Sequence, residues 1–507
     1  MVDNFLQGVA AMANFWSISA ALLGLVSGIV IGALPGLTAT MTVAVLTPFT
    51  FFMAPLIGLP FLLGVYKGAI YAGSIPAILI NTPGTAAAAA TTLDGHVLAR
   101  EGQARKALLV SLYSSVIGDM LATIVLIAVT APLAAIAIMF TSPEFTILFL
   151  FALTMIAGVS GNSLTKGLIA AALGAWFGSI GLDPMSGMQR LTFGYAELTG
   201  GIALVPVLIG MFALSEILIQ SEKSVVRSIA AAGVDDASGV SKKEMKSLMP
   251  TILRSTGLGI ILGALPGLGA EIACWLSYAA ARRHSKNPEK FGKGSLEGVA
   301  AAESGNNATV PATLIPMLVF GIPGDTVTAV LLGAFMAQGL LAGPLLFQQH
   351  GDTIYGLFCV LLLTNVMLLV FGYWAIQYLR RIVFIPRSIL LPCVTVFCFA
   401  GSYAVSSDFF DVFVMVGGGA AGYLMRKADM PIPPFVIGLL LAPRLENAMR
   451  QSLLFGDGSL SIFVTRPISA GLLAIFVASL GFLVWRSFRA RQIKDATVTE
   501  QPHDAAR

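Results

Sequence analysis

Apolar runs close to twenty residues long follow one another along almost the whole chain, separated by a few charged segments. A helix needs about 20 apolar residues to cross the ~30 Å hydrocarbon core of a bilayer, so this pattern admits little besides an all-α polytopic membrane protein. Of the 507 residues, 56% are hydrophobic and 11% charged, whereas a soluble domain carries about 25% charged residues. A membrane β-barrel requires short alternating strands, and these runs are continuous and rich in Ala, Leu, Ile and Gly. The first basic residue is Lys67, so the N-terminus lacks the basic region of a secretory signal, and the mature chain is expected to begin at or near Met1. Cys274, Cys359, Cys393 and Cys398 lie in apolar stretches without CxxC spacing and read as small core residues. Nothing in the sequence asks for an organic cofactor, a catalytic residue or a nucleic-acid partner.

Charge sets the expected topology. Arg100, Arg105 and Lys106, then Lys223 to Arg254, then Arg282 to Lys293, then Arg380, Arg381 and Arg387, the pair Arg426 and Lys427, and the tail from Arg486 are placed in the cytoplasm by the positive-inside rule. Spans are expected near 106–132, 144–160, 165–182, 200–220, 352–379, 386–402, 408–425, 432–446 and 467–486, about 11–12 in all. The C-terminus is then cytoplasmic and the N-terminus periplasmic. This divides the chain into a first membrane repeat (1–220), a cytoplasmic linker (221–254), a second membrane repeat (255–450), a final helix (451–487) and a cytoplasmic tail (488–507). Residues 255–281 are bounded by arginines at both ends, which predicts a re-entrant hairpin of two half-helices of about 12 residues.

The division rests on a duplication. "GALPGL" occurs at 32–37 and again at 263–268, "IPAILINTPGT" (75–85) matches "IPMLVFGIPGD" (315–325), and "VPVLIG" (205–210) weakly matches "PPFVIG" (433–438). Flanking spans of opposite sense make the two copies inverted repeats. Inverted repeats with helices broken by Pro and Gly are the frame of many secondary transporters. In that frame half-helix N-termini meet an anionic substrate near the midplane.

At these residues the sequence resembles a known family, the large membrane subunit of the tripartite tricarboxylate transporters (the TctA family). The resemblance rests on "GALPGLTATMTVAVLTPFTF" (32–51), "GAIYAGSIPAILINTPGT" (68–85), "GALPGLGAEIACWLSYAAAR" (263–282) and "AAESGNNATVPATLIPMLVFGIPGD" (301–325), in order along nearly the whole chain. It implies a bacterial inner-membrane permease that works with a small membrane subunit and a periplasmic solute-binding protein. Such a permease imports a citrate-like di- or tricarboxylate by symport down an ion gradient rather than with ATP. The chain departs from the family pattern at Lys67, Thr85 and Asp325, which leaves the substrate open.

Candidate site residues cluster at the breaks. Pro35, Gly36, Thr38, Asn81, Thr82, Gly84 and Thr85 in the first half, and Pro266, Gly267, Gly269, Pro323 and Gly324 in the second, offer free backbone N–H groups and short polar side chains suited to a carboxylate. The alternative for the first break is a Pro kink kept for packing. Lys67 is a candidate for pairing with a substrate carboxylate, or equally for snorkelling to an interface or neutralising a buried acid. Asp119 reads as structural. Asp325 and Thr326, Glu271, and the Ser304, Asn306 and Asn307 of the "ESGNN" cluster supply oxygens suited to a coupling ion, Na⁺ or H⁺. The cluster also reads as a helix cap at an interface. A trianion facing only half-charges and one lysine is under-compensated, which favours a bound cation.

Rival functions fare worse. "GVSG" (158–161) resembles a serine-hydrolase motif, but the four histidines fall outside the spans and leave no base. "GKGS" (292–295) lacks the order of a phosphate loop. A channel, or a stand-alone ion-coupled organic-anion transporter or exchanger, shares the same frame and remains the alternative.

Overall fold

The computed structural model describes residues 8, 10, 12, 14–159, 163–183, 185–222, 239–378 and 387–499. The Ser160 and Gly161 of the hydrolase-like motif, residues 223–238 of the linker, Arg380, Arg381, His503 and the end of the tail lie outside them. In chain order the helices are α1 (Phe15–Gly32), α2 (Ala39–Leu46), α3 (Pro55–Ala72), α4 (Ser74–Ile80), α5 (Thr91–Leu98), α6 (Ala104–Ala137), α7 (Ser142–Val159) and α8 (Leu164–Gly178). A two-stranded hairpin, β1 (Gly181–Leu182) with β2 (Gln189–Arg190), comes next. Then come α9 (Leu204–Leu208), α10 (Ser215–Glu222), α11 (Lys242–Ala264), α12 (Gly269–His284), α13 (Leu296–Phe320), α14 (Thr326–Ala337), α15 (Leu346–Gln349) and α16 (Gly351–Tyr378). The last are α17 (Arg387–Ser406), α18 (Phe409–Lys427), α19 (Ile432–Phe455), α20 (Ile462–Thr465) and α21 (Pro467–Thr499). Among the described residues, 8 helices are long and apolar enough to cross a membrane, and shorter apolar helices accompany them. The all-α membrane architecture expected from the apolar runs is what the chain adopts.

Residues group into two compact units, Met1–Ile138 with Ala203–Leu424, and Met139–Ile202 with Met425–Arg507. The first unit holds both "GALPGL" segments and both of the later Pro-Gly breaks, whereas the weakly matched 205–210 and 433–438 fall in different units. Gly28 and Gly32 of α1 lie against the backbone of Val65 and Ala69 in α3, and Gly259 and Gly263 of α11 lie against Gly305 and Thr309 in α13. These are the same pairs shifted by one repeat, so both copies use one packing register. Small residues every fourth position let two helix backbones approach closely. At Gly32 an added Cβ would stand 2.6 Å from the Ala69 carbonyl oxygen, well inside contact distance.

One element differs from its expected form. The first arm of the hairpin expected at 255–281 is the 23-residue helix α11, which starts at Lys242 inside the anticipated linker. Ser241 and Glu244 form a reciprocal capping box there, which satisfies two backbone donors and so fixes the start. At about 1.5 Å per residue, α11 is long enough to span rather than half-span. The second arm, α12, has 16 residues.

In the second unit α8 packs on α19 through Gly174 and Gly438, each against the other helix's backbone. An ion-pair cluster closes one end of this unit. The Asp183 carboxylate accepts N–H bonds from Met185 (2.8 Å) and Ser186 (3.1 Å) and pairs with Arg190 and with Arg450 (3.0 Å). Arg190 also reaches Glu446 (2.9 Å), and Arg466 reaches Glu144 (2.8 Å). The Met185 N–H, aided by the Ser186 N–H and Arg190, holds the Asp183 carboxyl below the usual carboxylate range.

Two outcomes test this description. Gly28→Val and Gly259→Val are each expected to cost about 1–3 kcal/mol or more through overpacking and to broaden the size-exclusion peak, whereas Leu23→Ala, on the exposed side of α1, leaves it unchanged. Because its folded pKa is depressed, Asp183 contributes stability above the ordinary carboxylate range, and this is lost only as pH falls through the lowered value. Trypsin cleavage after Arg190 should therefore stay slow and constant from pH 6 to 8 and accelerate several-fold in Asp183→Ala.

Candidate functional site

Both "GALPGL" copies fold into the same turn. Leu37 N–H bonds Leu34 O (3.2 Å) and Leu268 N–H bonds Leu265 O (3.4 Å), with Gly36 at φ 93° and Gly267 at φ 90°. Pro followed by a Gly at positive φ is the arrangement of a type II turn. A side chain at either glycine would be strained, which explains the repeated Pro-Gly. Thr38 then caps α2, its hydroxyl oxygen accepting from Met41 N (3.1 Å).

The second pair of breaks also share one geometry. Helix α4 ends at Asn81 (φ 56°) and α13 at Gly321 (φ 67°), both left-handed. Thr82 N–H returns to Pro76 O (3.3 Å) and Ile322 N–H to Pro316 O (3.2 Å), as in Schellman ends. Each "GALPGL" turn then packs on the Pro-Gly of its own half. Gly84 abuts the Gly32 carbonyl, and Gly267 N–H bonds Gly324 O at 2.7 Å. Pro266 is buried, and Gly269 (φ 54°) packs on the Cβ of Asp325.

Contacts between the halves cross over. Tyr66 of α3 donates to Asp325 Oδ2 (2.7 Å) beside the second break. Asn306 of α13, its counterpart by repeat register, donates to Ala87 O (2.9 Å) beside the first break. The Thr40 and Thr326 hydroxyls bond each other at 2.6 Å.

The two breaks differ in the residues just beyond them. After Pro323-Gly324, Asp325 caps α14, its Oδ1 accepting from the Thr328 N–H (2.8 Å) and hydroxyl (2.7 Å). The second break therefore carries its own carboxylate where an external anion was expected to bind. After Pro83-Gly84 there is no such acid. Asn81 is exposed, Thr82 half-buried, and the Thr85 hydroxyl is buried without a hydrogen-bond partner.

Lys67 lies at the centre of the bundle with no solvent exposure, its ammonium 3.2 Å from Asp119 Oδ1 and donating to Leu361 O at 2.7 Å. The geometry matches the acid-neutralising alternative. The "ESGNN" residues stand inside α13, every one buried, while Ser295 makes the N-cap. They are therefore not a helix cap at an interface. Ser304 bonds back to Ala300 O (2.7 Å), Asn307 donates to Ser115 Oγ (2.9 Å), and Glu271 is exposed in the first turn of α12.

A family described as the tripartite tricarboxylate transporter TctA family matches residues 18–437, spanning both copies of the break. The chain belongs to the TctA family. Two proteins of Agrobacterium vitis are similar to it. The "Uncharacterized 52.8 kDa protein in TAR-I ttuC' 3'region" is 34% identical over 494 residues, which is 97% of this chain and 98% of that protein. The "Uncharacterized protein in TAR-II ttuC' 3'region" is 32% identical over 234 residues, 46% of this chain and 97% of its own length. No solved structure matches. As a TctA-family chain it is the large subunit of a transport system of several parts, and its long apolar helices make it a multi-pass membrane protein.

Sequence reading alone missed Tyr66, Thr40, Thr91 and Ser115. Only Tyr66 had a usable signal, since it aligns with Asn306 across the repeat. If Lys67 serves Asp119 rather than substrate, Lys67→Met leaves a buried acid unpaired and costs about 3–5 kcal/mol. The double variant Lys67→Met/Asp119→Leu should then recover folding by thermal melting and retain transport. A folded double variant without transport would return Lys67 to the substrate.

Proposed function

We propose that this chain is the permease subunit of a binding-protein-dependent secondary transporter that imports a di- or tricarboxylate into bacterial cells across the inner membrane, driven by a Na⁺ or H⁺ gradient. The observation that carries the reading is the pair of equivalent helix breaks held together by crossed contacts, in a chain of the TctA family. When Tyr66 reaches the second break and Asn306 the first, the halves contact one another as partners about a two-fold axis do. That supports the inverted relation expected from charge.

The substrate carboxylates are assigned to the first break. There the unpartnered Thr85 hydroxyl and the exposed Asn81 offer polar groups to a carboxylate, whereas Asp325 repels a second anion at the other. The Asp183–Arg190–Glu446–Arg450 cluster ties the hairpin to α19, and the Glu144–Arg466 pair ties the start of α7 to the segment before α21, at chain positions that the charge rule places outside. This supports a periplasmic approach for the solute-binding protein, with a small membrane subunit completing the system.

The test is uptake of labelled citrate and related carboxylates into right-side-out vesicles carrying this chain and its small subunit, with and without the purified binding protein and an imposed ion gradient. Accumulation is expected only with both, and Thr85→Val should reduce it about tenfold, the worth of one hydrogen bond to a charged group. Full accumulation without the binding protein would establish the stand-alone transporter instead.

A further inference from the structure

Glu303 is a fully buried carboxylate in the middle of the first unit, at a position where the repeat register places Leu63 in the other half. The side chains that bond it are neutral. The Thr91 hydroxyl donates to Oε1 and the Ser115 hydroxyl lies 3.4 Å from Oε2, with Ser111 and Asn306 also turned toward it. No ion pair among the described residues includes Glu303, whereas Asp119 is matched by Lys67, and Asp94 and Asp325 accept backbone N–H bonds. The titratable groups facing it are Tyr71 of α3 and Cys274 of α12, neither of them a cation. Glu303 itself lies in the interior of α13, and the first turn of α5, which Thr91 opens, offers it a hydroxyl and a partial positive charge rather than a cation.

Beside this carboxylate stands an oxygen with nothing to bind. Asn307 donates to Ser115 Oγ (2.9 Å), to Asn306 Oδ1 (2.6 Å) and to Glu303 O (3.0 Å), while its own Oδ1 is buried and without a partner. A half-turn of the amide exchanges the two atoms and sets that oxygen against Ser115 Oγ, Asn306 Oδ1 and the Glu303 carbonyl, an arrangement of oxygens that needs a cation among them. A surplus of oxygen acceptors with one net negative charge, dry and enclosed, is the donor set of a small hard cation.

We propose that Glu303, Thr91, Ser115 and Asn307 form the binding site of the coupling cation, a sodium ion. The proposal rests on reading the chain as an ion-coupled permease. A proton on Glu303 would neutralise the charge but leave the Asn307 oxygen unsatisfied, and sodium answers both. A divalent ion takes several carboxylates. Here there is one, and the described residues hold no group of three His, Cys, Asp or Glu side chains that could bind a metal ion.

The site also has the connections that coupling requires. Thr91 opens α5, six residues beyond Thr85, and Asn306 holds Ala87 of the intervening turn. A cation drawing Thr91 to Glu303 fixes the segment just beyond the first break, and so orders the polar groups assigned to the substrate. By linkage, the carboxylate then tightens sodium binding by the same factor that sodium tightens its own.

The experiment is equilibrium binding of radiolabelled sodium to the purified full chain in detergent, without carboxylate or partner subunits, with ionic strength held constant. Saturable binding displaced by NaCl but not KCl is expected. Glu303→Gln and Thr91→Val should each weaken it about tenfold or more, and Leu23→Ala should not. Ser115→Ala serves as a further variant if the glutamine fails to fold. Wild-type chain that does not prefer sodium to potassium, or folded Glu303→Gln and Thr91→Val chains that bind as tightly as wild type, would overturn the site. Absent sodium binding together with carboxylate uptake driven by a proton gradient would overturn this inference and leave the carboxylate reading standing.

Discussion

A helix broken inside an apolar bundle exposes backbone N–H and C=O groups that lipid cannot satisfy, and the first unit is organised around answering that demand four times. The two "GALPGL" turns close on themselves through hydrogen bonds of 3.2 and 3.4 Å. The two later breaks end in left-handed residues and pack beneath those turns, so each half supplies most of what its own breaks need. The remaining partners come from the opposite half, through Tyr66, Asn306 and the Thr40–Thr326 pair. Close helix contact at Gly28, Gly32, Gly259 and Gly263 makes this reach achievable, because a side chain at any of them would hold the helices apart.

The two halves share a backbone plan but not a chemistry. In the first, Lys67 and Asp119 neutralise each other and leave the break free of fixed charge. In the second, Asp325 is absorbed into a helix cap while Glu303 stays without a cation. The two halves therefore differ in fixed charge although they share a backbone plan.

Much of this was legible in the residues. Hydrophobic runs announced the helical bundle, and Pro-Gly pairs marked the breaks because few other residues tolerate those dihedral angles. The repeat pointed to paired breaks, and motifs such as "IPAILINTPGT" carried the family. The start of α11 at Lys242 was missed because a Ser-Glu capping box hidden in a basic segment looks like linker. The "ESGNN" cluster allowed a capping reading because its residue types favour helix ends, yet packing against α6 and α12 places it in a helix interior.

The sequence by itself determined where the chain is apolar, where it must break and which family it belongs to, since these depend on local composition and backbone sterics. Tertiary structure alone decided which polar groups face one another. That Lys67 meets Asp119, that Tyr66 meets Asp325 and that Glu303 meets only hydroxyls and amides depends on helices far apart in sequence lying side by side at a register set by glycines. The energy of a buried charge depends on those neighbours rather than on the residue that carries it.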